Sequence, residues 1–342
     1  MTRRGLVIGA GGVLGFAWAA GALAALEREE GFDCRSVDLL IGTSAGSILA
    51  ALLAAGIPIE VIVRNQQGIP APGDPIVDYH EEVDGSGSLP PFPAFALGSP
   101  GLLAYAAMHP FETPPIVALS GLMPRGRASQ TGVHRLIQSS LTTDDWPSKP
   151  RPWVVAMDYQ SGRRVVFGGP TAPEATLADA VTASCAVPGW FAPVQIGGRR
   201  YVDGGTRSTA SVDLAAGYDL DEVYVVTPMA SFAYDSPSTL AGKIERRVRR
   251  ALTGQLLREA EKVRTSGARV TLLGPGPEDL TAIGANLMDA RRRGAVLETS
   301  LRTSRVALRH GYESFPLQRL RPVAGFNPAA SYPPEDLHGV AG

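Results

Sequence analysis

Residues 42–46 read Gly-Thr-Ser-Ala-Gly, directly after the apolar run Val37-Asp38-Leu39-Leu40-Ile41 and directly before the apolar, helix-forming stretch Ser47 to Ala55. A chain that leaves a buried strand, sets a serine between two glycines and enters a helix at once has few folds open to it. In a strand–turn–helix setting, Gly-x-Ser-x-Gly is a nucleophile elbow, a tight turn that lifts one hydroxyl over the end of a sheet. Side chains at the two glycine positions would crowd the turn and the approaching substrate. The plainer alternative is a helix cap, a common use of serine ahead of an apolar run. Five residues leave both readings open, and the rest of the chain decides between them.

The surrounding pattern alternates strands and helices. Leu6-Val7-Ile8 reads as a short buried strand and Gly15 to about Glu29 as a helix, followed by the strand before Gly42 and the helix after Ser44. Such alternation predicts an α/β fold with a mostly parallel sheet covered by helices. "PWVVAMDYQSGRRVVFGG" reads as two strands joined around Ser161-Gly162, and "VQIGGRRYVDGG" as a hairpin turning at Gly197-Gly198. "TLADAVTASCAVP" is predicted helical as far as Pro188, and a short helix is expected near 210–216. "DEVYVVTP" and "ARVTLLGPGP" are late buried strands, and helices are expected at about 239–266, 279–290 and 294–309. Residues 67–124 interrupt this order with 11 of the chain's 28 prolines. That density excludes long helices and central strands, while the aromatics Tyr79, Phe92, Phe95, Tyr105 and Phe111 argue against a plain solvated linker. The segment 67–130 is therefore read as an insert, a candidate lid over an acyl groove. One domain, 1–325, with a loose tail at 326–342 accounts for the length.

The first glycine loop, "GAGGVLG" at Gly9 to Gly15, lies where a dinucleotide-binding loop would lie. That fingerprint needs glycine at 9, 11 and 14, and position 14 is leucine. What remains is a turn with unobstructed N–H groups at the positive end of a helix, a setting that stabilises negative charge. Beside an exposed serine, the charge to be held is the oxyanion of a tetrahedral acyl intermediate. A serine hydroxyl also needs a proton acceptor. None of the five histidines (His80, His109, His134, His310, His338) ends a predicted core strand. "YVDGG", by contrast, sets Asp203 after a strand and before two glycines that allow close approach, although Asp-Gly is also a common turn pair.

"GAGGVLG", "GTSAG" and "VTASCAVPGWFAPVQIGGRRYVDGG", in this order, resemble the patatin-like phospholipase family over residues 4–66 and 125–310. The resemblance implies a three-layer α/β/α sandwich and a Ser–Asp dyad with Ser44 as nucleophile and Asp203 as base. It also implies oxyanion donors at Gly11 and Gly12, to which the elbow geometry adds the N–H of Ala45. Lipid carboxylic esters, phospholipids or neutral acylglycerols, are the implied substrates, with no metal or organic cofactor. The family often has arginine where this chain has Leu14, which suggests a weaker preference for anionic phospholipids. Two rivals stay in view: a non-catalytic lipid-binding protein on the same fold, and a Ser-His-Asp esterase using His134 or His310.

Composition sets the remaining limits. A net charge of −1 gives no global field to recruit nucleic acid. Two cysteines, Cys34 and Cys185, form no metal spacing or disulfide framework, and Cys185 reads as a buried structural residue. "WAAGALAAL" imitates a leader, but cleavage there would remove the glycine loop. With no apolar run long enough to span a bilayer, the expectation is a cytoplasmic protein making transient contact with a membrane or micelle surface. Residues 240–265 carry eight Lys/Arg against three Glu, with Ile244, Val248, Ala251 and Leu252 at helical spacing. A solvated helix face is the first reading of that segment, and a helix lying on an anionic membrane the second.

Overall fold

The computed structural model describes residues 2–75, 92, 94–143, 145–232 and 240–309. Strand β1 (Arg4–Ile8) leads into helix α1 (Gly12–Glu30), and β2 (Leu39–Thr43) leads into α2 (Ala45–Ala54) and α3 (Ile59–Gln67). The insert contributes β3 (Ala94–Leu97), α4 (Pro100–Met108), α5 (Pro115–Leu122) and β4 (Pro124–Arg125). There follow α6 (Thr131–Ser140), the antiparallel pair β5 (Pro152–Asp158) and β6 (Arg164–Phe167), and α7 (Leu177–Ser184). The hairpin β7 (Val194–Ile196) and β8 (Arg199–Asp203) precedes β9 (Glu222–Val226), α8 (Leu240–Thr265) and β10 (Arg269–Leu273). Helices α9 (Pro277–Ile283) and α10 (Arg293–Arg309) end the described chain.

The main sheet runs β10-β9-β1-β2-β5-β8-β7, with β6 also paired to β5. Its first five strands are parallel and the β5–β8, β8–β7 and β5–β6 pairs antiparallel. Strand side chains alternate between the faces, as the pleat requires. Leu6, Ile8, Leu40 and Val226 join the core under α1, α2, α7 and α10. Val7, Ile41, Val223 and Val225 face the opposite side, against Leu256, Ala260 and Val263 of α8. This is the predicted α/β/α sandwich, mostly parallel with an antiparallel edge. Close helix packing depends on small residues. A side chain at Gly21 of α1 would stand 2.9 Å from Ser300 of α10, whose hydroxyl donates to the Trp18 carbonyl at 2.6 Å.

Differences from the sequence expectations have local causes. Helix α7 stops at Ser184, four residues before Pro188, whose ring would collide with the carbonyl one turn back. Helix α9 ends at Gly284, which takes φ 70° and closes the helix earlier than expected. The segment near 210–216 is a 3-10 helix over Val212–Gly217. In the insert, both helices are short and carry proline in the first turn, where its missing N–H costs nothing. Tyr79, His80, His310, His338 and the tail lie outside the described residues.

Helix α8 keeps most of its cations in solvent, as the solvated-face expectation has it, but departs from that expectation in its first turns. Leu240, Ile244 and Val248 are exposed, while Arg246 and Arg249 are buried and paired with Glu245. The arginines turn inward because their acceptors lie there: Arg249 also donates to the Pro228 carbonyl.

Candidate active site

Three chain reversals at the C-terminal edge of the parallel strands build the site. Strand β2 ends at Thr43, and Ser44 takes φ 53° and ψ −126°, a conformation that costs a residue with a side chain of order 1–3 kcal/mol. Helix α2 begins at the next residue, which makes Ser44 the predicted elbow. The two motif glycines are fixed by contact. A Cβ at Gly46 would stand 2.1 Å from the Ile8 carbonyl oxygen, and one at Gly42 would stand 2.5 Å from that of Gly46. The turn therefore packs against the end of β1 through bare backbone.

The backbone polar groups of Ser44 are all engaged. Its N–H donates to the Ser184 hydroxyl at 2.8 Å, and its carbonyl accepts from the Ser47 hydroxyl at 2.6 Å and the Ser47 N–H at 2.7 Å. Its own hydroxyl lies close enough to the Asp203 carboxyl to act on its titration. Asp203 ends β8 opposite Ala156 of β5, next to Val155, the register partner of Thr43. That pairing brings two residues 159 positions apart to the same height on the sheet. Asp203 is 5% exposed, its N–H donates to Ala186 at 2.9 Å, and its Oδ1 accepts from the Gly205 N–H at 2.7 Å. Burial raises its pKa to about 6, and hydrogen bonds from Ser44 and Gly205 only partly oppose that rise.

The glycine loop closes the third side. Gly9 and Ala10 donate to the carbonyls of Val226 and Thr209, which ties the loop to the end of β9 and to the segment after Asp203. Gly11 has Pro228 and Gly15 where a side chain would go, and Gly12 adopts φ 60°. The N–H groups of Gly11, Gly12 and Ala45 donate to no described residue, and each stands at the start of α1 or α2. Two helix N-termini thus leave open donors beside one hydroxyl, an arrangement suited to an oxyanion.

Other sequence candidates lie elsewhere. Leu14 is fully buried in the main core, so that position presents no surface to a lipid head group. His134 pairs with Asp179 at 3.2 Å in the first turn of α7, while Ser184 at the other end of that helix holds the elbow. His109 stacks on Tyr105 within the insert. Cys185 is buried beside Ser47, at 3.9 Å, and burial followed by the charge of Asp203 pushes its thiol far up. Sequence reasoning missed Ser184 and Glu259. Glu259 of α8 is buried, accepts from the Ser208 hydroxyl at 2.7 Å and the Val212 N–H at 3.0 Å, and so holds the segment after Asp203. Nothing in its sequence neighbourhood distinguishes it from the other charges of a basic helix.

An elbow serine at the same height as a buried carboxylate, with open helix-terminal N–H groups beside it, has the layout of a serine acyl hydrolase. Residues 6–216 match the patatin-like phospholipase family, more than half of the chain, and the chain belongs to that family. Membership supports a lipid hydrolase activity. Among solved structures, VipD from Legionella pneumophila is 15% identical, with a TM-score of 0.39 over 88% of this chain and 67% of that one. The type III effector protein ExoU is 17% identical, with a TM-score of 0.30 over 90% of this chain and 54% of that one. The chain thus spans about half the length of ExoU. No curated protein sequence matches it. Among the described residues, no helix is long and apolar enough to cross a membrane.

Proposed function

We propose that the chain hydrolyses carboxylic ester bonds of lipids through a Ser44–Asp203 dyad. The observation that carries this reading is the placement of a buried carboxylate, Asp203, at the height of the Ser44 elbow through the β2–β5–β8 register, where burial raises its pKa to about 6. Asp203 removes the hydroxyl proton as Ser44 Oγ attacks the ester carbonyl, and the carbonyl oxygen takes up the negative charge. The N–H groups of Gly11, Gly12 and Ala45 stabilise that charge, each worth roughly 3 kcal/mol when preorganised. Collapse of the intermediate breaks the ester C–O bond, and Asp203 returns the proton to the departing alcohol. Water then attacks the acyl-serine, giving its proton to Asp203, and the fatty acid leaves with Ser44 restored.

An ordinary aspartate, with a pKa near ~3.9, is a weak base toward serine; burial makes this one stronger. Membership in the family supports the lipid substrate class. The test is hydrolysis of p-nitrophenyl esters of increasing chain length by wild type, Ser44→Ala and Asp203→Ala. Activity in wild type with both variants at background is the expected result. An active Asp203→Ala beside a dead Ser44→Ala would move the base elsewhere. A folded wild type that neither turns over any ester nor reacts with a fluorophosphonate at Ser44 would leave a lipid-binding protein.

A further inference from the structure

The site opens at the C-terminal edge of the sheet, between β1, β2 and β5, and exposed apolar residues flank that edge on both sides. On the β5–β8 side the insert is anchored through Tyr159, one residue beyond the end of β5. Ser99 donates to the Tyr159 carbonyl, and the Tyr159 hydroxyl donates to the Ser120 carbonyl at 2.7 Å. This anchoring turns Val117 and Ser120 of α5 inward and leaves Ile116, Leu119 and Leu122 in solvent, with Met108 and Phe111 nearby in the chain. From Phe92 to Pro124 the single Asp, Glu, Lys or Arg is Glu112. The apolar surface continues to the site: Met123 reaches the turn at Gly189, and the exposed Val187 adjoins Ala186, whose carbonyl holds the Asp203 N–H.

On the β9 side, Arg249 and Thr253 of α8 hold Pro228 and Ser231, just past the end of β9, and Pro228 packs on Gly11. Leucine, alanine and valine further along the helix enter the core. The turns before Arg249 therefore overhang the edge of the sheet, at a rise of ~1.5 Å per residue. Leu240, Ile244 and Val248 on these turns are exposed, with the exposed cations Lys243 and Arg247 between them. Solvent alone gives a helix no reason to face leucine, isoleucine and valine outward while burying two arginines. Apolar residues interleaved with cations suit an interface of acyl chains and anionic head groups.

We propose that these two surfaces form a docking face for an anionic lipid bilayer, which seats the Ser44 site against the membrane from which it draws its substrate. The inference rests on the lipid hydrolase reading only for the identity of the site between the two surfaces. Binding is therefore measured apart from catalysis, by flotation of the full chain carrying Ser44→Ala with phosphatidylcholine vesicles, with and without phosphatidylserine. The parent is expected to float, and more strongly with phosphatidylserine. Leu119→Asp/Leu122→Asp and Ile244→Asp/Val248→Asp should each weaken binding by roughly tenfold or more. Lys243→Glu/Arg247→Glu should remove most of the phosphatidylserine dependence. The same paired substitutions in the chain with Ser44 intact should leave turnover of a short soluble ester unchanged and lower turnover of vesicle lipid. A parent that does not float, or paired variants that float like the parent, would overturn the docking face while leaving soluble esterase activity untouched. Dimers that the aspartate variants convert to monomers in sedimentation, with no vesicle binding, would reassign the face to a second copy of this chain. Vesicle binding that follows the predictions without turnover of any ester would uphold the docking face and remove the hydrolase reading.

Discussion

The Ser184 hydroxyl accepts the N–H of Ser44 at 2.8 Å and donates to the Val155 carbonyl at 2.6 Å. One fully buried side chain thereby links the elbow to the neighbouring strand and holds Ser44 in its positive-φ turn. Ser184→Ala leaves a buried N–H and a buried carbonyl each short of a partner, at a cost of about 1–3 kcal/mol. Thermal unfolding should register this loss. Ester turnover should fall about tenfold or more with a smaller change in KM, because the nucleophile loses orientation rather than the substrate losing contacts. Unchanged stability and kcat would remove Ser184 from the elbow's support.

The pKa of Asp203 gives two pH dependences of opposite sense. In its proposed role as base Asp203 works ionised, so kcat/KM should rise as pH passes through about 6 and then level off. For stability, the folded pKa lies above the usual aspartate value of 3.8. The native state therefore binds its proton more tightly than the unfolded chain, and keeping Asp203 charged destabilises the fold above that window. Asp203→Asn should be inactive yet more stable than wild type at neutral pH, by about 1–3 kcal/mol. That difference should shrink as pH falls through 6 and vanish below about 4, where the wild-type carboxyl is protonated in both states. Denaturant titrations of both proteins across this range test the sign.

Much of the site was legible because its constraints are local. The elbow shows in five residues, since a Cβ at Gly42 or Gly46 meets backbone within a few residues or on the adjoining strand. Asp203 shows because an Asp-Gly-Gly after a strand needs close approach. Ser184 and Glu259 do not show, because their roles depend on partners 140 and 51 positions away in sequence. For α8 the sequence supplied the periodicity but not its direction. Whether Ile244 or Arg249 faces inward is set by Glu245 and the Pro228 carbonyl, which become neighbours only when the strands assemble.

Cys34 and Cys185 are buried, and burial is the first cause of the raised pKa of each thiol. Glu27 adds to the rise at Cys34 and Asp203 at Cys185. Thiolate is the reactive form, so iodoacetamide at about pH 8 should label neither cysteine in the native protein and should leave ester turnover intact. Both should react once the chain is unfolded. Rapid native labelling of Cys185 with loss of activity would show that the region behind Ser47 opens to solvent.

Glu259 carries the most distant prediction about the dyad. Burial, then the negative charge of Asp213, raises its pKa, and the Ser208 hydroxyl, the Val212 N–H and the Gln255 amide converge on it. The segment it holds begins at Asp203 and includes Thr209, whose carbonyl receives the Ala10 N–H of the glycine loop at 2.7 Å. The proposed base and the glycine loop thus share a brace on the far side of the sheet. Glu259→Ala leaves Val212 and Ser208 without their acceptor and should cost about 2–4 kcal/mol of stability. Misplacing the dyad and its hole should lower kcat while KM moves little, since Glu259 touches no substrate. Glu259→Gln keeps one acceptor oxygen for the Val212 N–H and should restore most of kcat. If the alanine and glutamine variants lose stability but keep full kcat, Glu259 braces the fold alone, and the position of Asp203 is set by its strand pairing with Ala156.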